Sequence, residues 1–342
     1  MRVLLLRTWL RNIGNGFIDM GARSIIEKAA PEAEVVEVSG YPNWVASQRE
    51  LGQLAGITGA FGPAQGLAEQ IQKHRNSVTN RFINIGELVD ADLAILPGCV
   101  LYQFALEIYR PLLEDLNDRD IPIVIMGAGG GDYAQSTQQY VRDFLSEIEP
   151  IGLMTRDEIA YQVYSDTVEH TYNGIDCAFF IDDWYTPPQA NTTFDAAAFD
   201  KQDEPADISN GQRIIRTDHV PFGEPHKGFT QKVQTARDQH GFFESNNILV
   251  SDNIRDYLFI YKNAIVTHSD RIHACVPTLA YGNQARFWFS TPRAALFERV
   301  LNEDISGEAV SIDQHRLSRQ KSEQVSALAQ IISDISVGRA IA

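Results

Sequence analysis

The chain has 342 residues, of which 44% are hydrophobic and 22% charged, and its formal net charge is −16. A chain of this length exceeds one hydrophobic core, so we expect two domains with a cleft between them. The ordinary composition excludes a disordered or fibrous protein. The negative charge, without any cluster of basic residues, argues against nucleic acid or an anionic membrane surface as a partner.

The N-terminus and the cysteines both indicate a reducing compartment. The apolar run 3–6 is interrupted by Arg7 before it reaches the length of a signal-peptide core or a transmembrane helix. The cysteines are odd in number and far apart, which predicts neither a disulfide framework nor a CxxC metal site; they are Cys99, Cys177 and Cys275. We therefore expect a cytoplasmic protein with no transmembrane segment.

In the first half of the chain, short apolar runs alternate with longer amphipathic ones, a pattern typical of β-α-β units and a parallel sheet. The predicted strands cover residues 3–6, 35–38, 93–96, 121–126 and 151–154. Helices are predicted at 18–29 and 136–147, and the segment 52–86 receives no assignment. This half is predicted to be one Rossmann-like domain, residues 1–182.

The composition changes after residue 182, where prolines and acidic residues replace the apolar periodicity. We interpret residues 183–212 as a linker or domain-crossing loop. Strands predicted at 213–217, 248–251, 264–267 and 286–289 then form a second Rossmann-like domain, residues 213–312. The last segment, 313–342, is predicted to be a helix that packs back across one of the domains.

Two glycine-containing turns follow predicted strands. The segment Asn12 to Gly16 is either a plain β-α turn or a helix N-terminus that binds an anion through backbone N–H groups. The segment Gly127 to Asp132 approaches the dinucleotide pattern GxGxxG but has Asp132 at the last position, and its strand comes late in the domain, which disfavours NAD. A turn at the carboxyl end of a parallel sheet is still a good place for another ligand.

Two positions at strand ends carry cationic side chains. Arg156 follows the strand at 151–154 and can offer a planar fork to a carboxylate or phosphate, or simply pair with its acidic neighbours. Arg271 and His273 follow the strand at 264–267. Because Pro277 fits the first turn of a helix best, we expect the helix to start near it, which leaves both side chains on the preceding turn, facing the cleft. They form a candidate anion site with a group that can move a proton.

The order of these motifs resembles that of the polysaccharide pyruvyl transferase family over nearly the whole chain. The motifs that carry the resemblance are Asn12-Ile13-Gly14, Pro97-Gly98-Cys99, Met126-Gly127-Ala128-Gly129, Arg156-Asp157, Ile175-Asp176-Cys177-Ala178 and Arg271-Ile272-His273-Ala274. The resemblance implies an α/β fold of the GT-B-like kind, with two Rossmann-like domains facing each other across a cleft. It also implies transfer of a pyruvyl group from phosphoenolpyruvate to a sugar of a surface or secreted glycan, as a ketal.

The resemblance also implies which residues form the site. Arg156, Arg271 and His273 are expected to be catalytic and to meet phosphoenolpyruvate. The residues expected to bind substrate are Asn12, Gly14, Asn15, Gly98, Gly127, Gly129, Asp157, His268 and Ser269. The base for the sugar hydroxyl stays open among Asp19, Asp157 and Asp176. The expected partners are a small donor and a glycan acceptor, lipid-linked or not, with no metal and no cofactor.

Two other hypotheses stay open. A glycosyltransferase that uses a nucleotide sugar can have the same architecture, since a fold does not fix a function. A catalytically lapsed member serving as a binding protein is suggested by Asn15 and Pro97, which replace an acidic residue and a glycine of the family pattern. Responses to nucleotides, or binding of phosphoenolpyruvate without phosphate release, distinguish these hypotheses from the first.

Overall fold

Two parallel β-sheets form the framework of the molecule. The computed structural model describes residues 1–8, 12–40, 83–199, 202–206, 208, 211–219, 242–289 and 291–341. Within these ranges the first sheet has six strands in the order β2-β1-β3-β4-β5-β6. The second has five strands in the order β11-β10-β7-β8-β9. The fold is the GT-B-like, two-domain α/β fold expected from the sequence.

The first domain alternates strands and helices in chain order. Its strands are β1 (Arg2–Arg7), β2 (Glu34–Ser39), β3 (Leu93–Pro97), β4 (Ile123–Ala128), β5 (Gly152–Thr155) and β6 (His170–Asn173). Its helices are α1 (Ile13–Ala29), α2 (Gln103–Asp118), α3 (Gln135–Ile148), α4 (Glu158–Tyr164) and the short α5 (Ile181–Trp184). The strands β3 and β4 are buried along their whole length, as expected of central parallel strands covered on both faces.

The second domain follows the same plan. Its strands are β7 (Asp195–Ala198), β8 (Ile214–Thr217), β9 (Ile248–Leu249), β10 (Val266–Ser269) and β11 (Gln284–Phe287). Its helices are α6 (Ile254–Asn263) and α7 (Ile272–Ala280), and the final helix α8 (Gln314–Ile341) follows. The Gln324 side chain on α8 accepts a hydrogen bond from the Ile175 amide, 2.7 Å away, so α8 packs on the first domain.

The structure changes two of the sequence interpretations. The predicted linker 183–212 contains β7, which lies between β10 and β8 in the second sheet. Its residues Asp195-Ala-Ala-Ala lack the β-branched side chains by which a buried strand is recognised. Helix α7 begins at Ile272 and has Pro277 inside it, so the expectation of a helix start near Pro277 is wrong.

The strand orders place ligand-binding positions at the carboxyl ends of both sheets. In the first sheet the chain leaves β1 toward β2 on one side and returns to β3 on the other, and in the second β7 and β10 are neighbours in the same way. In open parallel sheets a crevice forms where the connections diverge. The turns after β1, β3 and β10 therefore border the natural binding crevices.

Helix α1 lies very close to the segment 177–180. A Cβ added at Gly21 would lie 1.8 Å from the backbone oxygen of Cys177, nearer than any real contact. Gly21→Ala is expected to lower the free energy of unfolding by about 1 to 3 kcal/mol, because helix and segment would have to separate. Denaturant unfolding monitored by circular dichroism measures the change.

The matched control is Gly307→Ala, where an added Cβ would make only an ordinary contact, 3.6 Å from the Asp304 oxygen. This change should stay within about 0.5 kcal/mol of the parent protein. Equal stability of the two variants would show that the close approach of α1 is not a constraint on the fold.

Candidate functional site

A cavity of about 340 Å³ lies between the two domains and is lined by residues from both. Residues that follow β1, β3 and β5 provide its first-domain side, and residues that follow β7, β8, β10 and β11 provide its second-domain side. Five of the residues predicted from the sequence line it: Asn12, Asn15, Arg156, Arg271 and His273. The structure thus brings together three motifs that are far apart in the chain.

A buried carboxylate on α1 is bonded to the residue that follows β1. Asp19, fully buried on α1, accepts hydrogen bonds from the Thr8 amide at 3.0 Å and from the Thr8 hydroxyl at 2.8 Å. Asn12 caps α1, because its side-chain oxygen accepts a hydrogen bond from the Gly14 amide at 3.0 Å. The carboxylate of Asp19 therefore joins the end of β1 to the helix that carries Asn15.

The domains also meet through the backbone at the start of α1. The amide of Ile13, the first residue of α1, donates a 3.0 Å hydrogen bond to the carbonyl oxygen of His219 in the second domain. A Cβ added at Gly14 would lie 2.8 Å from Cβ of His273. The predicted substrate-binding residue Gly14 therefore serves as the point where α1 can approach His273.

One buried carboxylate connects the cationic groups of the two domains. The Asp176 oxygen Oδ2 accepts a 2.7 Å hydrogen bond from Nη1 of Arg156 and lies 3.3 Å from Nε2 of His273. Asp176 is completely buried, and the side chains of Arg156 and His273 are 3% and 17% exposed. Its other oxygen accepts the Ala178 amide at 2.8 Å, which orients the carboxylate. The three side chains form what we call the Asp176 cluster: Arg156, Asp176 and His273.

Electrostatics within the Asp176 cluster keep Asp176 and Arg156 ionised. Burial acts to raise the pKa of Asp176, but attraction to His273 and Arg156 and its hydrogen bonds hold that pKa well below the ordinary value. Burial acts to lower the pKa of Arg156, but attraction to Cys99 and Asp176 raises it instead. Arg156 and Asp176 are thus a buried ion pair in which each keeps the other ionised.

Arg271 reaches the cavity from the start of α7. Its amide donates a 2.7 Å hydrogen bond to the hydroxyl of Ser269, which in turn donates to the Ala198 carbonyl at 2.8 Å. Arg271 takes the N-cap position of α7, so His273 lies in the first helical turn. The partial positive charge of a helix N-terminus therefore adds to the cationic side chains on this side of the cavity.

The predicted glycines form turns behind the cavity wall. Gly98 and Gly127 have positive φ angles of 94° and 62°, which side chains rarely adopt. A Cβ at Gly129 would lie 2.4 Å from Nε of Arg156. Gly129 thus allows the turn after β4 to pack against Arg156, whereas a Cβ at Gly98 or Gly127 would meet Ile18 or Cys177.

Three other predicted residues have side chains that are used inside the fold. Asp157 caps α4 by accepting the Ala160 amide at 2.8 Å, and it also accepts the Tyr133 hydroxyl. His268 accepts a 3.2 Å hydrogen bond from the Trp288 indole. With the hydroxyl of Ser269 bonded to the backbone, these residues support the turns from which the cavity residues project.

Several cavity residues were missed by the sequence reasoning. Cys99 and Tyr102 follow β3, and Phe289 and Arg293 follow β11, in positions that the strand-end rule could have indicated. The Nη2 atom of Arg293 lies 3.5 Å from the position that a Cβ of Gly131 would take, so this exposed side chain reaches across to the first domain. The cavity thus contains three guanidinium groups, those of Arg156, Arg271 and Arg293, besides the imidazole of His273.

This arrangement can bind a small, multiply charged anion and exchange a proton with it. Guanidinium groups form paired hydrogen bonds with carboxylates and phosphates. An imidazole held against a buried carboxylate has a fixed ring orientation, and histidine can donate or accept a proton near neutral pH. Among the described residues that line the cavity, three arginines stand against one carboxylate, that of Asp270.

Removal of the charge of Asp176 tests how much its ion pair with Arg156 contributes to the free energy of unfolding. Asp176→Asn is expected to lower the free energy of unfolding by about 3 to 5 kcal/mol at neutral pH, because the buried Arg156 loses its counter-ion. Denaturant titration measures the loss. Asp166→Asn is the control, since Asp166 is exposed and pairs with Arg142 at the surface, and its loss should be much smaller.

The difference in stability between the parent protein and Asp176→Asn is expected to depend on pH. Because the pKa of Asp176 is depressed in the folded state, its contribution is fully present above the ordinary aspartate pKa of about 4. The contribution is lost as the pH falls through the lower, folded-state pKa. The stability difference between the parent protein and Asp176→Asn should therefore be constant from pH 7 to about 5 and narrow below about 4. A difference that widens in acid would contradict the ionised pair.

The sequence profile of the polysaccharide pyruvyl transferase family matches residues 12–285 of the chain. A search of curated proteins gave no significant match. No helix among the described residues is both long enough and apolar enough to cross a membrane.

Solved structures of sugar-nucleotide enzymes show low sequence identity to the chain over nearly its full length. The S. aureus MnaA–UDP co-structure is 10% identical, with 97% of this chain and 91% of that chain covered and a TM-score of 0.48. The UDP-GlcNAc 2-epimerase from Neisseria meningitidis bound to UDP-GlcNAc is 9% identical, with 99% and 100% covered and a TM-score of 0.48. The Methanocaldococcus jannaschii enzyme in complex with UDP-GlcNAc and UDP is 11% identical, with 98% and 100% covered and a TM-score of 0.49.

Proposed function

The chain belongs to the polysaccharide pyruvyl transferase family, and from this premise we propose that it transfers the pyruvyl group of phosphoenolpyruvate to a glycan sugar and forms a ketal. The observation that carries the proposal is the convergence of Arg156, Arg271 and His273 from two domains in one cavity. Phosphoenolpyruvate combines a carboxylate and a phosphate in a small molecule. Its charge distribution suits a compact group of guanidinium forks.

Donor binding is assigned to the three arginines. Arg156 is buried and fixed by Asp176, so it presents a preorganised cation that loses little entropy when an anion binds. Arg271 takes the N-cap position of α7, and Arg293, also in the second domain, reaches the cavity from the segment that follows β11. The chain as a whole carries a charge of −16, so a local group of cations is needed to attract an anionic donor.

His273 is assigned the proton transfers. In its protonated form it gives a proton to the methylene carbon of phosphoenolpyruvate while a sugar hydroxyl attacks the central carbon, and it then takes the proton of that hydroxyl. The bond from the central carbon to the phosphate oxygen breaks, and a second hydroxyl adds to close the ketal. The departing phosphate takes the second hydroxyl proton. One proton thus ends on the new methyl group and one on inorganic phosphate.

Asp176 is assigned a positioning role in this scheme. It lies 3.3 Å from Nε2 of His273 and is completely buried, so it can orient the imidazole. Asp19 and Asp157 are bonded to Thr8 and Tyr133 in the supporting structure. Of the three carboxylates considered as a base, only Asp176 contacts His273, and it acts through the imidazole.

Phosphate release from phosphoenolpyruvate in the presence of a panel of sugar acceptors tests the proposal. His273→Ala is expected to lower kcat by about 100 to 10,000-fold, the range for loss of a general acid or base. Arg271→Ala should raise the KM for phosphoenolpyruvate, because it removes one of the guanidinium groups assigned to donor binding. His315→Ala and Arg255→Ala, which remove side chains outside the cavity, are the matched controls and should keep full activity.

The alternatives predict different outcomes in the same assay. If His273→Ala and Arg271→Ala release phosphate as fast as an active parent protein, the site assignment is wrong. A thermal shift with nucleotides but not with phosphoenolpyruvate would favour a nucleotide-sugar glycosyltransferase. Binding of phosphoenolpyruvate without phosphate release for any acceptor would favour a lapsed enzyme that serves as a binding protein.

The contact between Gly14 and His273 provides a second, independent test. Gly14→Ala would place a Cβ 2.8 Å from Cβ of His273, so the imidazole must shift relative to Asp176. We expect kcat to fall by about tenfold to 100-fold, since small displacements of a catalytic group have effects of this size. Gly307→Ala is the control and should leave kcat unchanged. Full activity of Gly14→Ala would show that the position of His273 does not limit the reaction.

A further inference from the structure

Gln324, on the final helix α8, has a polar side chain in a completely buried position. Its oxygen Oε1 accepts a 2.7 Å hydrogen bond from the backbone amide of Ile175, which is also completely buried. Ile175 lies two residues beyond β6, so this amide has left the strand. A buried backbone donor needs an acceptor, and Gln324 provides it.

Gly174, the residue before Ile175, allows this contact. A Cβ added at Gly174 would overlap Oε1 of Gln324 and would lie 3.0 Å from its Cδ atom. The Gly174 amide donates a 2.9 Å hydrogen bond to the carbonyl oxygen of Thr155 at the end of β5. The turn after β6 is therefore fixed to β5 on one side and to α8 on the other.

A second residue of α8 holds the far end of the same segment. Lys321 lies three residues before Gln324, its side chain is 12% exposed, and its ammonium group pairs with Asp183 of α5 at 3.3 Å. Residues three apart lie on the same face of a helix. Helix α8 therefore holds the segment 174–183, which contains Asp176, near both of its ends.

Packing alone does not explain a glutamine at position 324. Its Nε2 atom is buried and has no hydrogen-bond partner among the described residues. A buried donor without an acceptor costs free energy that an apolar side chain of similar volume would avoid. What the glutamine adds, and an apolar side chain cannot, is the acceptor for the Ile175 amide.

The residue next to Ile175 is Asp176, whose two cationic partners are attached to different parts of the molecule. Arg156 directly follows β5, the strand to which the turn after β6 is itself bonded. His273, whose Nε2 is 3.3 Å from the carboxylate, belongs to the second domain. A displacement of the turn would therefore alter the contact with His273 more than the contact with Arg156.

We propose that Gln324 is a positioning residue, which holds the turn that carries Asp176 and through Asp176 sets the orientation of the His273 imidazole. Helix α8 is thus part of the scaffold of the site, although none of its described residues lines the cavity. The effect on turnover rests on the proposed transfer reaction, whereas the effect on the placement of His273 does not.

Nuclear magnetic resonance of the histidine-labelled full-length chain tests the placement directly. Gln324→Met removes the acceptor oxygen and keeps nearly the same side-chain volume. We expect it to move the imidazole resonances of His273, which are assigned by their loss in His273→Ala. The resonances of His315, an exposed residue in the first turn of α8, should stay in place. Gln330→Met is the matched control, because Gln330 is exposed on the same helix, and it should move neither set.

The phosphate-release assay tests the effect on turnover. Gln324→Met should lower kcat about tenfold, because it displaces the group assigned to proton transfer. The KM for phosphoenolpyruvate should stay within about twofold of the parent value, since the arginines assigned to donor binding remain. A purely structural role for Gln324 would lower the free energy of unfolding and leave kcat and the His273 resonances unchanged.

Gly174→Ala disturbs the same contact from the other side and replaces Gln324→Met as the test if that variant does not fold. It should also move the His273 resonances and lower kcat. Unchanged His273 resonances in the folded variant, or an equal change in Gln330→Met, would overturn the proposal. Absence of phosphate release by the parent protein would contradict the proposed function instead, and the resonances would still test the role of Gln324.

Discussion

The site depends on a single buried carboxylate that contacts an arginine of one domain and a histidine of the other. Asp176 holds Arg156 from its own domain at 2.7 Å and His273 from the other domain at 3.3 Å. An ionised carboxylate in a fully buried position is costly unless it is paired and hydrogen-bonded, so each of these contacts is needed for the others. The geometry of the catalytic candidates and the stability of the domain interface therefore have the same origin.

The placement of these groups follows from parallel-sheet geometry. Cys99, Arg156 and Arg271 lie within two residues of the carboxyl end of a strand, and the two sheets point these ends toward a shared crevice. Glycines at the same turns remove the side chains that would fill the space, as Gly129 does beside Arg156. The scaffold thus provides the positions, and the residue types at those positions decide the chemistry.

Much of the fold was accessible from the sequence, because strands such as β4 are apolar runs that end in a glycine-rich segment. The strand β7 was not, since three alanines have little strand propensity and only the packing of its neighbours defines it. Pro277 misled the placement of α7, because tertiary packing outweighed the loss of one helical hydrogen bond.

For the site, motifs indicated Arg156, Arg271 and His273, which all line the cavity. The contact between Asp176 and His273, and the shared cavity of Cys99 and Arg293, could not be derived from sequence alone. Asp176 contacts a histidine 97 residues away, and nothing local in the chain announces that contact. Cys99 and Arg293 belong to opposite domains and become neighbours of one cavity only when the two sheets are assembled.

The backbone hydrogen bond from Ile13 to His219 joins the first turn of α1 to the second domain. The close approach of Gly14 to His273 lies one residue further along the same helix. The two domains are therefore fastened together directly beside the imidazole, and a separation of the domains at this point would also pull His273 away from Asp176.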